Sequence, residues 1–351
     1  MRGILISKFD KQKILIRTPN WLGDVMMSLP ALQLLLQSFP NWEISVLTQP
    51  SYISFFKCIP HLKEILSFNP DYSLKNQVKS IKKYVQKYQF NTILVFPLSF
   101  SSAWLAWRSG IKNRIGYQSE LRSWLLTKSI SYKNYRTHHL VYEYLDLVIK
   151  AFDLRTKLVN IGYLKEVFNS RQFKFILDKF ELSKNEWIAL VPGATYGPTK
   201  RWPLSRWKKL TQNILKTRTE NIIILGSGQE VSYFKEFYDE VDTWELSTKS
   251  RIRFLVGQTT VLELAVILSN CKLLISNDTG SMHVASAIQI PTIALFGSTN
   301  PNWTGPWGGN DKILYHKIPC SPCFKKKCLI QDKYKCLYQI TEEEVMESIK
   351  I

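Results

Sequence analysis

The chain has 351 residues, 45% of them apolar and 13% aromatic, with a formal net charge of +19. That composition excludes a mainly disordered chain, no apolar run approaches the roughly 20 residues of a membrane-spanning helix, and the length suits two α/β domains that each bury a core. The charge is lopsided: residues 1–165 hold 23 Lys+Arg against 9 Asp+Glu (+14), whereas residues 166–351 hold 24 against 19 (+5). A basic first half attracts nucleic acid, anionic lipid headgroups or a phosphorylated glycolipid; the blander reading is lysine on solvated faces.

Met1 to Lys8 carries a basic residue, but its apolar run is too short for a signal-peptide core and no small-residue cleavage site follows, so export is not expected. Lys13 to Arg17 reads as a short apolar strand. After the turn Thr18-Pro19-Asn20-Trp21-Leu22-Gly23, apolar residues recur at helical spacing from Asp24 to Phe39. Pro40-Asn41 stops that helix, and Glu43 to Leu47 is the next strand. Lys75 to Tyr88 is helical, Asn91 to Phe96 a buried strand, and His138 to Phe152 a long amphipathic helix. The pattern then restarts: strand Trp187 to Val191, helix Ser205 to Thr217, strand Asn221 to Leu225, helix Gln229 to Tyr238, helix Val261 to Leu268. Strand Leu273 to Ser276, helix Val284 to Ile288, strand Pro291 to Phe296 and a capped helix from Thr341 complete the chain.

Two runs of strand–helix alternation predict two Rossmann-like, doubly wound domains facing a cleft. The expected division is 1–170, 171–340 and a terminal helix 341–351. The boundary falls near 160–185, where Gly162, Asn169-Ser170 and Ser183-Lys184-Asn185 interrupt the apolar periodicity. No short-period repeat is present.

The segment Asn277-Asp278-Thr279-Gly280-Ser281-Met282-His283 turns from strand to helix and aims backbone N–H groups and a helix-dipole end at one spot, which suits a phosphate or diphosphate. A second polar loop, Gly297-Ser298-Thr299-Asn300-Pro301, opens on the same sheet edge, and two such loops make a ligand crevice. Thr195, Tyr196, Lys200 and Arg201 add hydroxyls and two cations able to neutralise a departing diphosphate, or else form a solvated loop. Asp24, at the first strand–helix turn, is either a general base on a substrate hydroxyl or an ordinary first-turn carboxylate, which the helix dipole keeps ionised. Glu263 is a ribose ligand or an exposed first-turn Glu. His283 is a ligand or acid, or a structural hydrogen-bonding residue.

Gly226-Ser227-Gly228 is an incomplete dinucleotide fingerprint, with Val at position 231, and reads better as a tight turn. Cys320, Cys323, Cys328 and Cys336 can hold zinc, form a disulfide or remain free thiols; their spacing matches no well-known finger. Cys58 and Cys271 sit in core context. The pairs Trp104/Trp107 and Tyr142/Tyr144 are expected to pack in cores or domain faces rather than stack bases.

Three motif sets, in order, resemble those of the ADP-heptose:lipopolysaccharide heptosyltransferases, a glycosyltransferase family with the GT-B fold. They are Arg17-Thr18-Pro19-Asn20-Trp21-Leu22-Gly23-Asp24-Val25 with Leu29-Pro30-Ala31-Leu32, then Pro192-Gly193-Ala194-Thr195 with Lys200-Arg201-Trp202-Pro203, then Asn277 to His283 with Phe296-Gly297-Ser298-Thr299. The Trp-Leu-Gly-Asp version and the late cysteines look most like the branch that adds the second inner-core heptose.

The resemblance implies an inverting transfer of heptose from ADP-heptose to a phosphorylated lipopolysaccharide core acceptor, with the acceptor on the N-terminal domain and the donor on the C-terminal one. It implies Asp24 as base, Lys200 on the donor phosphates, Thr279 and Gly280 as phosphate loop, Asp278 on a heptose hydroxyl and Glu263 on the ribose. No metal or other cofactor is expected, since ADP leaves as an anion met by Lys200 and helix-end N–H groups. The expected location is cytoplasmic, peripheral at the anionic inner face of the inner membrane. Rival readings are a family member acting on Kdo2-lipid A or another acceptor, a nicotinamide-dependent oxidoreductase opposed by the broken glycine fingerprint, and a nucleic-acid protein opposed by the lack of any recognition motif.

Overall fold

The computed structural model describes residues 12–132, 138–155, 161–183 and 186–349. Met1 to Lys8, read for a leader, and Lys184-Asn185 of the expected boundary lie outside the described residues. The chain divides into two compact units, Met1–Ile161 and Gly162–Ile351.

The first unit contains β1 (Lys13–Arg17), β2 (Glu43–Thr48), β3 (Ile65–Ser67), β4 (Thr92–Val95), β5 (Asn113–Tyr117) and β6 (Lys128–Ile130), in sheet order β3-β2-β1-β4-β5-β6. Its longer helices are α1 (Leu22–Ser38), α2 (Leu74–Tyr88), α3 (Phe100–Arg108) and α4 (Leu140–Phe152). The second unit contains β7 (Trp187–Val191), β8 (Asn221–Ile224), β9 (Ile252–Phe254), β10 (Cys271–Asn277), β11 (Thr292–Phe296) and β12 (Asp311–Tyr315), in order β12-β11-β10-β7-β8-β9. Its longer helices are α5 (Leu204–Thr217), α6 (Val231–Asp242), α7 (Val261–Ser269), α8 (Gly280–Ala287) and α9 (Glu342–Ser348).

Neighbouring strands are parallel throughout, with Ile16 level with both Val46 and Leu94, and Ile275 level with Leu190 and Ile293. Parallel strands covered on both faces must be apolar along their whole length, and β7 and β11 are buried at every residue. Each unit has the doubly wound order in which the winding reverses beside its first strand, between β1 and β4 and between β7 and β10. At such a reversal the loops leaving the carboxyl ends of the strands diverge, which is where this architecture binds ligands.

Each unit has its own core. Leu15, Leu47, Phe68, Ile93, Val95 and Leu105 cluster in the first; Leu190, Trp202, Trp207, Phe237, Ile275 and Val345 cluster in the second. The terminal helix α9 packs on α5 and supplies Val345 to that core, so it is part of the second unit. α1 continues past Pro30. Proline in a helix interior costs about 3 kcal/mol, and the burial of Val25, Leu29, Leu32 and Leu35 outweighs it.

Apolar periodicity misplaced two helix starts. α8 begins at Gly280 rather than Val284 because its first turn is polar, and α6 begins at Val231 because Gly228–Glu230 form a separate 3-10 turn. The aromatic pairs are also split: Tyr144 is buried but Tyr142 is 55% exposed, two residues apart on a helix being on opposite sides. Trp104 packs on the core while Trp107 is 41% exposed. Among the described residues no helix is long and apolar enough to cross a membrane.

Candidate active site

In the second unit three loops meet at the carboxyl end of β10. Asn277 is fully buried and ties two of them together. Its amide donates to Pro192 O (2.6 Å) and Gly193 O (3.2 Å), and its carbonyl accepts from the Trp202 N–H (3.0 Å). Asp278, 3% exposed, brings in the third: one carboxylate oxygen accepts from Lys200 Nζ and from the Thr299 hydroxyl, each at 2.5 Å. The two groups assigned separately from sequence, Lys200 and Asp278, therefore form one ion pair.

Beside this pair α8 begins. Thr279 is its extended N-cap and makes no side-chain cap; its hydroxyl lies 3.3 Å from that of Ser276. No acidic residue stands in the first turn, and Thr279, Gly280 and Ser281 are partly accessible. The first N–H groups of a helix have no intrahelical acceptor and sit at the positive end of the dipole. A helix end without a side-chain cap can accept an anion. His283 is buried on the same helix.

The loop after β7 is fastened to residues 324–326. Tyr196 Oη donates to Phe324 O (2.8 Å) and Thr199 Oγ1 to Lys325 O (2.6 Å), while Lys200 Nζ and Lys326 Nζ stand 4.9 and 5.5 Å from the Tyr196 ring centroid. Gly197, at φ +146, permits the turn, and a Cβ there would lie 3.1 Å from Lys326 O. Thr195 is exposed. Arg201 donates to Ala194 O (3.2 Å) and lies over the Tyr233 ring at 4.4 Å.

Glu263 is a first-turn carboxylate engaged at both oxygens. Oε2 accepts from the Thr260 N–H (2.8 Å) and hydroxyl (2.9 Å) in a capping box, and Oε1 from Lys179 (2.6 Å). Burial raises its carboxyl, but the hydrogen bonds from Lys179 and Thr260 outweigh it and hold it below the ordinary value. A different acid stands at the end of β7. Glu230 is 4% exposed, caps Ser227 through Oε2 (2.9 Å to the N–H), and leaves Oε1 without a partner; a Cβ on Gly193 would lie 2.3 Å from that oxygen. Gly226-Ser227-Gly228 thus belongs to a capping box with Glu230.

The late cysteines lie near one another. Burial, then the neighbouring Cys320, Cys323 and Cys328, push the Cys336 thiol up to about 11 against a hydrogen bond from Leu337. All are free thiols, and among the described residues no group of three or more His, Cys, Asp or Glu is arranged to hold a metal ion. Cys271 is buried, its thiol pushed up to about 12 by burial, whereas Cys58 is half-buried.

In the first unit Asp24 stands half-buried in the first turn of α1. The loop before it is built on Arg17, which is buried, covers the Phe68 ring at 3.7 Å, donates to Asn20 Oδ1 (2.6 Å) and also reaches Thr18 O. Burial lowers Arg17 to about 9, so it stays cationic at neutral pH. Gln49 (2.9 Å) and Tyr52 (3.0 Å) both donate to Asn20 O. Burial first, and the negative charge of Asp24 second, push Tyr52 up to about 12 and raise Tyr144 as well. The loop is rigid, and two aromatic rings feel the charge at its end.

The sequence profile of Glycosyltransferase family 9 (heptosyltransferase) matches residues 78–334. The chain belongs to this family. A lipooligosaccharide heptosyltransferase 2 of Campylobacter jejuni (serotype O:6) is 27% identical over 340 residues, 96% of this chain and 98% of that protein. The structure of E. coli ADP-heptose lps heptosyltransferase II superposes with a TM-score of 0.77 at 24% identity, covering 96% of this chain and 97% of that one. The E. coli heptosyltransferase WaaC with ADP gives 0.75 at 18%, covering 97% and 99%. These likenesses place both units in the GT-B class, and family membership removes the oxidoreductase and nucleic-acid readings. In this glycosyltransferase the matched span holds the whole Lys200–Asp278–Thr299 cluster and the start of α8; Asp24 precedes it. Arg17, Asn277, Thr299 and Glu230 are the residues whose positions sequence reasoning left without a role.

Proposed function

We propose that this heptosyltransferase moves heptose from ADP-L-glycero-D-manno-heptose to the inner-core heptose of lipopolysaccharide, as heptosyltransferase II does, with inversion at the anomeric carbon. The observation that carries the reading is the Lys200–Asp278–Thr299 cluster, with both bonds at 2.5 Å, beside the uncapped start of α8. An ammonium group and free helix N–H groups are what a leaving diphosphate requires. The names of the relatives, which span nearly the whole chain, supply the sugar and the acceptor class.

In the proposed reaction the acceptor hydroxyl attacks the anomeric carbon from the face opposite ADP. The new C–O bond forms as the bond to the β-phosphate oxygen breaks; the proton passes to the Asp24 carboxylate, and the electron pair leaves on ADP. Lys200 and the α8 N–H groups stabilise that developing charge, so no divalent metal is needed. Asp278 holds Lys200 in place and offers its other oxygen to a heptose hydroxyl. Thr195, Tyr196, Thr279, Gly280 and His283 line the donor. Glu263 can take a ribose hydroxyl only if Lys179 yields Oε1, whereas Glu230 has an oxygen to spare. The phosphorylated acceptor and an anionic membrane face suit the basic first half, and the proposed location is cytoplasmic, peripheral at the inner membrane.

The test is mass spectrometry of products from purified protein, ADP-heptose and defined acceptors. Addition of one heptose to a heptose-bearing core acceptor is expected. Transfer only to Kdo2-lipid A, or to a protein, would assign another acceptor position within the family. No transfer to any acceptor would end the reading.

A further inference from the structure

We propose that the first unit carries a bilayer-docking surface formed by α3, the turn 119–125 and the lysine-bearing face of α2, and that its partner is an anionic lipid interface. The inference deepens the proposed function by naming the surface that meets the membrane, and rests on that reading only for its purpose.

Phe100, Trp107, Leu121 and Trp124 are 38, 41, 91 and 66% exposed. Three of them form one patch, since the Trp124 ring lies 6.4 Å from Phe100 and 6.1 Å from Trp107. Contiguous exposed aromatic and aliphatic side chains mark an interaction surface. The turn beside the patch is held at a cost: Glu120 and Leu121 have φ of 44 and 54°, unfavourable for residues with a Cβ. Arg122 braces it from beneath. This guanidinium is fully buried and donates to Tyr117 O (2.9 Å), Pro97 O (2.5 Å) and Ser99 O (3.0 Å), while Glu120 accepts from the Phe100 N–H (2.7 Å). A rigid turn therefore holds the Leu121 side chain out in water, which folding alone does not reward.

The charge on Arg108 and on the helix that packs against α3 selects the partner. α2, which packs on α3, carries exposed Lys75, Lys79, Lys82, Lys83 and Lys87 and no acidic residue. Arg108, exposed at the end of α3, stands 5.5 Å from the Trp107 ring. Glu120 is the acid in the turn. Tryptophan at the headgroup level, aliphatic side chains just below it and lysines over anionic lipid is the pattern of an interfacial protein. An aliphatic tip has no ring face on which a base could stack, which disfavours single-stranded nucleic acid.

The test is sedimentation of the full chain with vesicles of phosphatidylglycerol and phosphatidylcholine, against phosphatidylcholine alone. Binding to the anionic vesicles is expected. It should fall at least tenfold in the variant Lys79→Glu/Lys82→Glu/Lys83→Glu and in Leu121→Ser/Trp124→Ser, the latter keeping wild-type transfer to a deacylated, water-soluble acceptor. Leu121→Ser alone, expected to bind severalfold more weakly, covers the case in which the double variant unfolds. Absence of wild-type binding, equal binding by the folded variants, binding to RNA in place of vesicles, or a dimer abolished by Trp124→Ser would each overturn the proposal. Vesicle binding without heptose transfer would leave the docking surface standing and sink the catalytic reading instead.

Discussion

At the scale of single residues, the Lys200–Asp278 ion pair is the centre of the proposed donor site. Asp278 is 3% exposed, so removing Lys200 leaves a buried carboxylate that accepts from the Thr299 hydroxyl but has lost its counter-ion. Charged hydrogen bonds are worth about 1.5–3 kcal/mol, or roughly 10- to 100-fold in affinity. Lys200→Ala should weaken ADP binding by that factor and lower turnover as well; titration calorimetry finding unchanged ADP affinity would remove Lys200 from the diphosphate. The sequence proposed both residues as site members but did not reveal their contact, because a loop's polar residues carry no periodicity that reports which distant loop they meet. Glu230 was readable in principle, since Ser227 and Glu230 have the spacing of a capping box. The incomplete glycine fingerprint over the same residues drew attention away from it.

At the scale of elements, the end of β7 depends on a close approach that only glycine allows. A Cβ at Gly193 would meet the Glu230 carboxylate at 2.3 Å, and Glu230 is buried and held by its capping box. Overpacking of this kind costs about 1–3 kcal/mol. Gly193→Ala should destabilise by that amount, and Gly193→Ala/Glu230→Ala by less than the sum of the single changes, with a coupling of roughly 1 kcal/mol in denaturant melts. Strict additivity would show that the two groups do not touch.

On β12, burial pushes Asp311 from 3.8 up to about 6, against hydrogen bonds from Gly309 and Thr292, and Oδ1 lacks a partner. A carboxyl whose pKa is higher folded than unfolded holds its proton longer in the folded state. Its favourable contribution is therefore complete below about pH 4 and is lost as the pH rises through 6. Asp311→Asn should abolish that loss, so its thermal midpoint relative to wild type should rise between pH 4 and 7; a constant difference would contradict the shift. Strands were the most legible elements, since β7 is an unbroken apolar run and β1 and β11 hold the apolar stretches Ile14-Leu15-Ile16 and Ile293-Ala294-Leu295-Phe296. The start of α8 was not, because Gly280 and Ser281 open it without an apolar residue.

At the scale of the molecule, alternating strand and helix signals were enough to indicate two doubly wound units, because parallel strands buried on both faces leave few other topologies. The division between compact units falls at Ile161/Gly162, inside the 160–185 stretch expected to hold the boundary. The short helices Tyr163–Phe168 and Lys174–Lys179, whose Leu164, Phe168 and Ile176 are buried, fall in that stretch and belong with the second unit. Because each unit has its own core, a ligand of one should stabilise that one. ADP at about 100 times its dissociation constant adds about 2.7 kcal/mol to the state that binds it. Hydrogen exchange should slow at 192–203 and 277–283 and stay unchanged at 13–48; protection confined to the first unit would reverse the donor assignment.

The Asp24→Asn variant is the most direct test of the proposed general base. Asparagine keeps the shape of the side chain and removes its basicity, and general-base contributions are typically about 10²- to 10⁴-fold. With ADP-heptose and a heptose-bearing acceptor, the rate of transfer should fall by that factor while donor affinity stays within about twofold of wild type. A rate near that of the wild-type protein, or a loss of donor binding in step with the rate, would contradict the account.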